Sequence, residues 1–404
     1  MKPIVNPQKI EELLIRGIEE IIHKDRLKKK LLSGKKLRVK HGVDPTGPNI
    51  HLGRAAQLLK LRDFQELGHQ IILIIGDFTA QIGDASDKTS ARRPLSEKEV
   101  QQNMKNYLPQ ISKILDIKKT EIYYNSRWLS RLTIKNLLLI SMKFTAQQMI
   151  QRRNFKERWE KEKPIGLHEL YYPLFQGYDS VAIRADVEIG GFDQLFNLKT
   201  GRMVQKFFGQ KPQDIMTLKM IVGPDGRKMS TSWQNVINIS DDPQQIYGMI
   251  MSMEDKLLPD YFELCTRIPF KELEVIKKDL EQKKVNPRDV KTKLAKQIVA
   301  LFHGEKAAQV AEKEFEKVFR EKKLPSKVPE AKIQEDILNI LDLLTKTKLA
   351  SSMSEAKRLI LQGGVKIKNK NQESKVKNDW KEEIKIKEGT VIQVGKRKFV
   401  KIKK

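Results

Sequence analysis

Two loops carry the residue types that can hold and release an anion. The first, HGVDPTGPNIHLGR, runs from His41 to Arg54 and follows the strand-like LRVK. Gly42, Gly47 and Gly53 remove side chains where a ligand could approach the backbone. The HLG triplet opens a helix, whose first N–H groups and dipole favour a phosphate. His51 can donate to a phosphate oxygen without adding a permanent charge, and a histidine satisfied within its own loop is the bland alternative. The second loop, GPDGRKMSTS (223–232), is a Gly-Pro-Asp-Gly turn leading into Lys228, Met229 and a run of hydroxyls. One lysine and several hydroxyls can grip a polyphosphate during one step and release it afterwards. Either loop alone is a weak signal; their order and separation make the pair a strong one.

These loops need a frame that brings them together. LRVKHGV (37–43), QIILIIGD (70–77), TEIYYNS (120–126), DVEIGG (186–191) and IMTLKMIV (215–222) read as strands. Helical patterns lie between them at 51–68, 97–115 and 193–209, and residues 8–32 read as one amphipathic helix ending in a basic cluster. Such alternation predicts an α/β fold, a Rossmann-like, mostly parallel sheet with helices on both faces. The first loop then sits at the carboxyl edge of the sheet, where open α/β folds bind ligands. Beyond about residue 235 the strand pattern gives way to helices, and 338–404 reads as two short helices followed by turn-broken β sequence. The expected organisation is a Rossmann-like domain over 1–235, an α-helical domain over 236–330, and a small α+β domain over 338–404.

Composition narrows the partners. The chain of 404 residues carries 78 Lys+Arg against 51 Asp+Glu, a formal net charge of +27. That excess favours a polyanion, although a lysine-rich surface would produce much of it. From Ala331 onward 19 basic residues face 9 acidic ones, a denser excess than the whole chain shows. The single cysteine, Cys265, excludes a disulfide framework and a cysteine-based metal cluster and fits a reducing compartment. No apolar run reaches the ~18 residues of a membrane span, and the first residues do not read as a secretory signal. A cytoplasmic protein is expected.

The two loops, HLG early and KMSTS late on an alternating chain, resemble the signature motifs of class I aminoacyl-tRNA synthetases. The intervening VDPTGPNIHLG, IGDFTAQIGDASDK (75–88), YYPLFQGYDS (171–180), DVEIGGFDQ (186–194) and KMSTSWQNVI (228–237) resemble the bacterial tyrosyl-tRNA synthetases specifically. The segment MSEAKRLILQGGVKIKNK (353–370) is similar to the S4 RNA-binding module that ends such enzymes. The resemblance implies ATP, L-tyrosine and tRNA(Tyr) as substrates, a homodimer with residues 130–150 as its interface, and Mg2+ arriving with ATP rather than held in a protein cage. It places Asp84, Tyr172 and Gln176 on the tyrosine ammonium, Asp179 on the phenol hydroxyl, and Gln194 near the substrate carboxylate. Thr46 and His51 would contact the phosphates, with Lys228 and Thr231 closing from the second loop. Gly191 and Asp193 would meet the ribose. Pro45, Gly47, Gly53, Arg54, Gly190, Met229, Ser230 and Ser232 complete the ATP set. Lys88 and Arg92 would serve pyrophosphate or the tRNA acceptor end.

Five positions depart from the family pattern. Arg54 replaces a usual His or Asn, Thr231 a second lysine, and Phe192 a small residue. Lys40 and His41 stand where many relatives carry a second phenol-binding tyrosine, so the partner of Asp179 is open. A tryptophan-specific relative and a non-catalytic RNA-binding paralogue are the rival readings. The QGYDS segment and the basic tail speak against the first, and the retained Asp84, Gln176, Asp179, Gln194 and Lys228 against the second.

Overall fold

Strand β2 (Arg38–Val43) is the centre from which the sheet grows. It pairs in parallel with β3 (Gln70–Ile75) from Arg38↔Gln70 through Val43↔Ile75, and on its other side with β5 (Val187–Gly191). In this computed structural model β4 (Thr120–Tyr124) extends the sheet beyond β3, and β6 (Asp214–Leu218) extends it beyond β5. β1 (Ile18–Ile22) closes the edge antiparallel to β6, giving the order β1-β6-β5-β2-β3-β4. The sheet is therefore mostly parallel, as the alternation of elements predicts. β3 is apolar and buried from Ile71 to Ile75, and β5 is buried along its length, as strands covered on both faces must be, with Glu188 the one charged residue inside it. The structure describes residues 2–84, 94–227, 229, 235–319, 321, 328–369, 372–376, 379–395 and 398–404.

One expectation fails at the N-terminal end. Residues 8–32 are not one helix but a helix (Pro7–Leu13), strand β1 and a second helix (Lys24–Leu32). Gly17 breaks the first helix at φ +67°, a conformation glycine adopts without strain. The short IEEII segment then finds a sheet edge to pair with, which outweighs its weak helical pattern. The helix expected over 97–115 is likewise two, Glu97–Met104 and Tyr107–Ile111.

Strand order changes direction between β5 and β2: the chain steps outward through β3 and β4 on one side, and through β5 and β6 on the other. The helix Leu52–Glu66 follows β2 and buries Leu52, Ala55, Leu58, Leu59, Leu61 and Phe64. Helices Leu167–Ala182 and Leu195–Phe207 flank β5 in sequence and pack on each other. A Cβ at Gly177 would meet Val204 at 2.9 Å and the Gly201 backbone at 3.4 Å, so the glycines let the helices approach closely.

The chain divides into two compact units, Met1–Gln309 and Val310–Lys404. Helices Pro243–Met251, Leu258–Cys265, Phe270–Glu281 and Pro287–His303 belong to the first. The second has its own core, in which Ile340, Leu343, Leu344, Ala356, Ile360 and Ile392 are buried. Its strands are β7 (Glu330–Lys332), β8 (Ile337–Asn339), β9 (Val365–Asn369), β10 (Gln372–Lys375), β11 (Glu383–Lys385), β12 (Val391–Val394) and β13 (Lys398–Lys403). They form a five-stranded sheet, β10-β9-β12-β13-β7, and a β8–β11 pair. Among the described residues no helix is long and apolar enough to cross a membrane.

Candidate active site

A cavity of about 240 Å³ opens at the carboxyl ends of β2, β3 and β5, where strand order reverses. Its walls come from His41–Asp44, Ile74 and Gly76, and Ile189–Gly190, with Tyr172, Gln176 and Asp179 projecting from the Leu167–Ala182 helix. Tyr172, Gln176 and Asp179 lie three and four residues apart, so a single helix face delivers all three. Thr46, His51, Gly53, Arg54, Asp84, Asp193, Gln194 and Met229 line the same space. The structure thus gathers most of the residues that the sequence nominates. Pro45, Gly47 and Gly191 are not among the lining residues: the Pro45 carbonyl accepts from Asn103, and a Cβ at Gly47 would meet nothing within 4 Å. Lys88, Arg92, Lys228, Ser230, Thr231 and Ser232 lie outside the described residues.

Asp179 forms the deep end. It is 3% exposed, and its two oxygens accept from Trp128 Nε1 at 2.7 Å and Asn125 Nδ2 at 3.3 Å. Burial pushes its carboxyl up to about 7, against the pull of Lys40 and of these two donors. Each oxygen accepts one of these bonds, so the carboxylate keeps lone pairs for another hydroxyl. Lys40 does not reach Asp179 as a hydrogen-bond partner; its ammonium lies 2.8 Å from Glu188.

A second group of acceptors sits nearer the mouth. The Tyr172 hydroxyl donates to Asp44 Oδ2 at 2.9 Å, and Thr79 Oγ1 donates to Asp44 Oδ1 at 2.8 Å. Burial, and then Asp44, push the Tyr172 phenol well above its ordinary value, so it stays protonated and donating. Gly76 is required here, because a Cβ would sit 1.9 Å from Asp44 Oδ1. Asp84 accepts from Gln194 Nε2 at 2.7 Å and pairs with the buried Arg152 at 3.2 Å. Gln176 accepts from Asn197 at 3.1 Å and donates to Glu188 at 3.2 Å. Five carboxylates, Asp44, Asp84, Asp179, Glu188 and Asp193, line the cavity. Such a wall suits a ligand with an ammonium group.

The first loop and the helix it opens form another part of the cavity wall. His51 caps the Leu52–Glu66 helix in extended geometry without a side-chain capping bond. Burial, then the charge of Arg54, lower its imidazole to about 3, so it is neutral at physiological pH and donates from one nitrogen only. Its Nδ1 is buried without a partner. His51 also bridges to Asn238, Leu52 N–H donates to the Ile237 carbonyl and Ile239 N–H to that of Ile50, both at 2.9 Å. The first loop is therefore stitched to the chain just after the second. Met229 Sδ would lie 3.6 Å from a Cβ on Gly53. Arg54 does not extend into solvent: it donates to Thr46 Oγ1 at 2.8 Å and to the Tyr107 hydroxyl.

Residues 32–320 match the family model described as tRNA synthetases class I (W and Y), and residues 320–402 match the Tyrosine–tRNA ligase SYY-like C-terminal domain. The chain is 45% identical to the Tyrosine–tRNA ligase of Moorella thermoacetica over 96% of its own length and 94% of the relative's. It is 44% identical to that of Thermotoga maritima, covering 98% of both. The chain belongs to the tyrosine–tRNA ligase family. Among solved structures, a C-terminally truncated mitochondrial tyrosyl-tRNA synthetase from Aspergillus nidulans superposes with a TM-score of 0.64 at 20% identity, covering 77% of this chain and 94% of that one. The tyrosyl-tRNA synthetase complexed with L-tyrosine from Archaeoglobus fulgidus gives 0.61 at 22%, covering 76% and 100%. At those identities the likeness speaks for the fold. The relatives and the C-terminal match both carry tyrosine, not tryptophan, in their descriptions.

Family membership makes the chain an aminoacyl-tRNA synthetase, so the paralogue reading falls away. Several residues of the site escaped sequence reasoning. Asp44 lay inside the quoted motif as an acid at the end of a buried strand, a signal that was available. Asn125 and Trp128 gave none, because their role depends on where β4 ends. Tyr178, by contrast, packs edge-on against Phe208 as an ordinary core aromatic. Among the described residues no group of three or more His, Cys, Asp or Glu could hold a metal ion.

Proposed function

We propose that the cavity binds L-tyrosine with its phenol on Asp179 and its ammonium among Asp84, Tyr172, Gln176 and Asp44, with ATP above it on the His51–Arg54 helix terminus. The chain is a tyrosine–tRNA ligase, and this assignment supplies its chemistry. The tyrosine carboxylate attacks the α-phosphorus of ATP, and pyrophosphate leaves. A ribose hydroxyl at the 3′ end of tRNA(Tyr) then attacks the tyrosyl carbonyl, and AMP leaves. A carboxylate is already a nucleophile, so the first step requires alignment and stabilisation of phosphate charge rather than a base. Neutral His51 suits that task as a donor. Thr46 and Arg54 stand beside it, Lys228 and Thr231 would close from the second loop, and Mg2+ arrives as part of the ATP substrate. Gln194 would orient the substrate carboxylate region, Gly190, Gly191 and Asp193 would meet the nucleoside, and Lys88 and Arg92 the pyrophosphate or acceptor end.

The single observation that carries this reading is Asp179, a buried carboxylate at the cavity's deep end whose protein partners are both neutral donors. Tyrosine-dependent ATP–pyrophosphate exchange, with tryptophan and phenylalanine as controls, tests it. Exchange driven equally by tryptophan would remove Asp179 from a phenol-reading role.

The S4-like reading of 338–404 rests on the basic excess of that segment and its match to the C-terminal domain of tyrosine–tRNA ligases. It would grip tRNA(Tyr) through phosphates and shape. A homodimer fits the exposed apolar face of helix Ile134–Ser141, where Ile134 is 78% and the following Met142 76% exposed. A cytoplasmic setting fits the single, buried Cys265.

A further inference from the structure

Behind the cavity wall a lysine and a glutamate pair without solvent. Lys40 on β2 and Glu188 on β5 are register partners across the point where strand order reverses. Lys40 Nζ lies 2.8 Å from Glu188 Oε1, with side chains 0% and 1% exposed. The ammonium also donates to the Gln176 carbonyl at 2.9 Å and to Ser180 Oγ at 2.8 Å, which uses all three of its protons. Glu188 accepts from Gln176 Nε2 at 3.2 Å, from Ser180 Oγ at 3.2 Å and from Gln213 Nε2. A buried ion pair is a poor way to gain stability, since apolar residues of similar volume often serve as well or better. Its placement points instead to the site. Lys40 and Glu188 hold both the backbone and the amide of Gln176, one turn before Asp179, and Glu188 itself reaches the cavity.

We infer that Lys40 and Glu188 are a positioning pair for tyrosine selection: they fix the amide orientation of Gln176, and Lys40 is the buried cation that balances the carboxylate of Asp179. The inference rests on Asp179 receiving the phenol, as proposed above. A phenol hydroxyl donates most strongly to an ionised carboxylate, where the bond is charge-assisted; a protonated carboxyl keeps one acceptor oxygen but loses that charge and adds a competing donor. Burial works against ionisation of Asp179, Lys40 is the largest opposing influence, and Asn125 and Trp128 assist it from the end of β4. Glu188 pushes the other way. On the same helix face the Tyr172 hydroxyl is bonded to Asp44, and Asp44, Asp84 and Asp179 all act on it as neighbouring negative charges. Lys40 is thus the cation that most favours the ionised form of Asp179 against burial, and Glu188 is what allows it to be buried there as a cation.

The test is the pH profile of kcat/KM for tyrosine in ATP–pyrophosphate exchange, with thermal melting as a check on folding. The parent should gain kcat/KM as pH rises through about 7, and Asp179→Asn should lose that limb. Lys40→Met should move the limb up by about one pH unit or more, the scale of losing a nearby opposite charge. Glu188→Gln should move it down. The double variant, which leaves no unpaired buried charge, should fold and also move it up, because the influence of Lys40 is the larger of the two. A role confined to folding would lower the melting temperature and leave the limb in place. A limb absent in Asp179→Asn but unmoved in Lys40→Met and in the double variant overturns the inference. A limb that persists in Asp179→Asn overturns the assignment of Asp179 on which it stands.

Discussion

Replacing Asp179 by Asn changes one oxygen to an amide nitrogen, and the surroundings of that carboxylate set the consequence. Trp128 Nε1 and Asn125 Nδ2 both donate to it, while asparagine offers a single acceptor. Asn125 cannot simply rotate its amide, because its Nδ2 also donates to Thr79 Oγ1 at 3.0 Å and its Oδ1 accepts from Phe78 N–H at 3.0 Å. One buried donor is therefore left facing another. The tyrosine phenol meanwhile loses a charged acceptor, a bond worth about 1.5–3 kcal/mol. At ~1.36 kcal/mol per tenfold, kcat/KM for tyrosine should fall roughly 10- to 150-fold. Phenylalanine makes no such bond, so its rate should change little and the tyrosine-to-phenylalanine ratio should fall by a similar factor. Pyrophosphate exchange with each amino acid, under conditions where both proteins remain folded by circular dichroism, measures the ratio directly. A variant within twofold of the parent for both amino acids would refute the reasoning, since it would mean that the phenol binds elsewhere.

Removing residues 328–404 takes away both C-terminal sheets and their core together, whereas a cut at 338 would split β8 and leave β7 unpaired. Adenylate formation should survive this truncation while tRNA charging collapses; normal charging would give the tail another task. The Arg54 guanidinium sits on Thr46 and Tyr107, at the end of the cavity where the Leu52–Glu66 helix begins, and Thr231 stands where the family pattern has a second lysine. If Arg54 supplies part of that missing charge, Arg54→His should slow tyrosine activation, and Thr231→Lys should largely restore it. The coupling should exceed the ~0.5 kcal/mol scatter of independent sites, and strictly additive effects would sink the idea.

The readable parts of this molecule are those in which local sequence suffices. β3 is a run of apolar residues that only a covered strand accommodates, and the HLG triplet announces a helix start wherever it falls. His51 and Gly53 follow from such local patterns, whereas Tyr172, Gln176 and Asp179 are nominated only by the family resemblance of YYPLFQGYDS. β1 was not legible because its five residues alternate weakly and acquire their state from β6, almost two hundred residues later. Asn125 and Trp128 belong to a chain crossover whose only local sign is the end of a strand. Arg152 reads as one more surface cation in a basic chain until the fold buries it against Asp84.

Lys40 shows most clearly why a lone residue misleads. In LRVKHGV it occupies an interior position of an apolar strand, where a charge looks like an error or a reach toward solvent. In DVEIGG Glu188 raises the same doubt. Each is intelligible only through the other, and the parallel pairing of β2 with β5 makes them neighbours. That pairing also creates the crevice in which a ligand binds. The feature that hides the ion pair from the sequence is therefore the one that ties it to the site: charges buried across the reversal of strand order necessarily lie beside whatever occupies the crevice. Removing the pair as a unit should consequently cost less in folding than in selecting tyrosine.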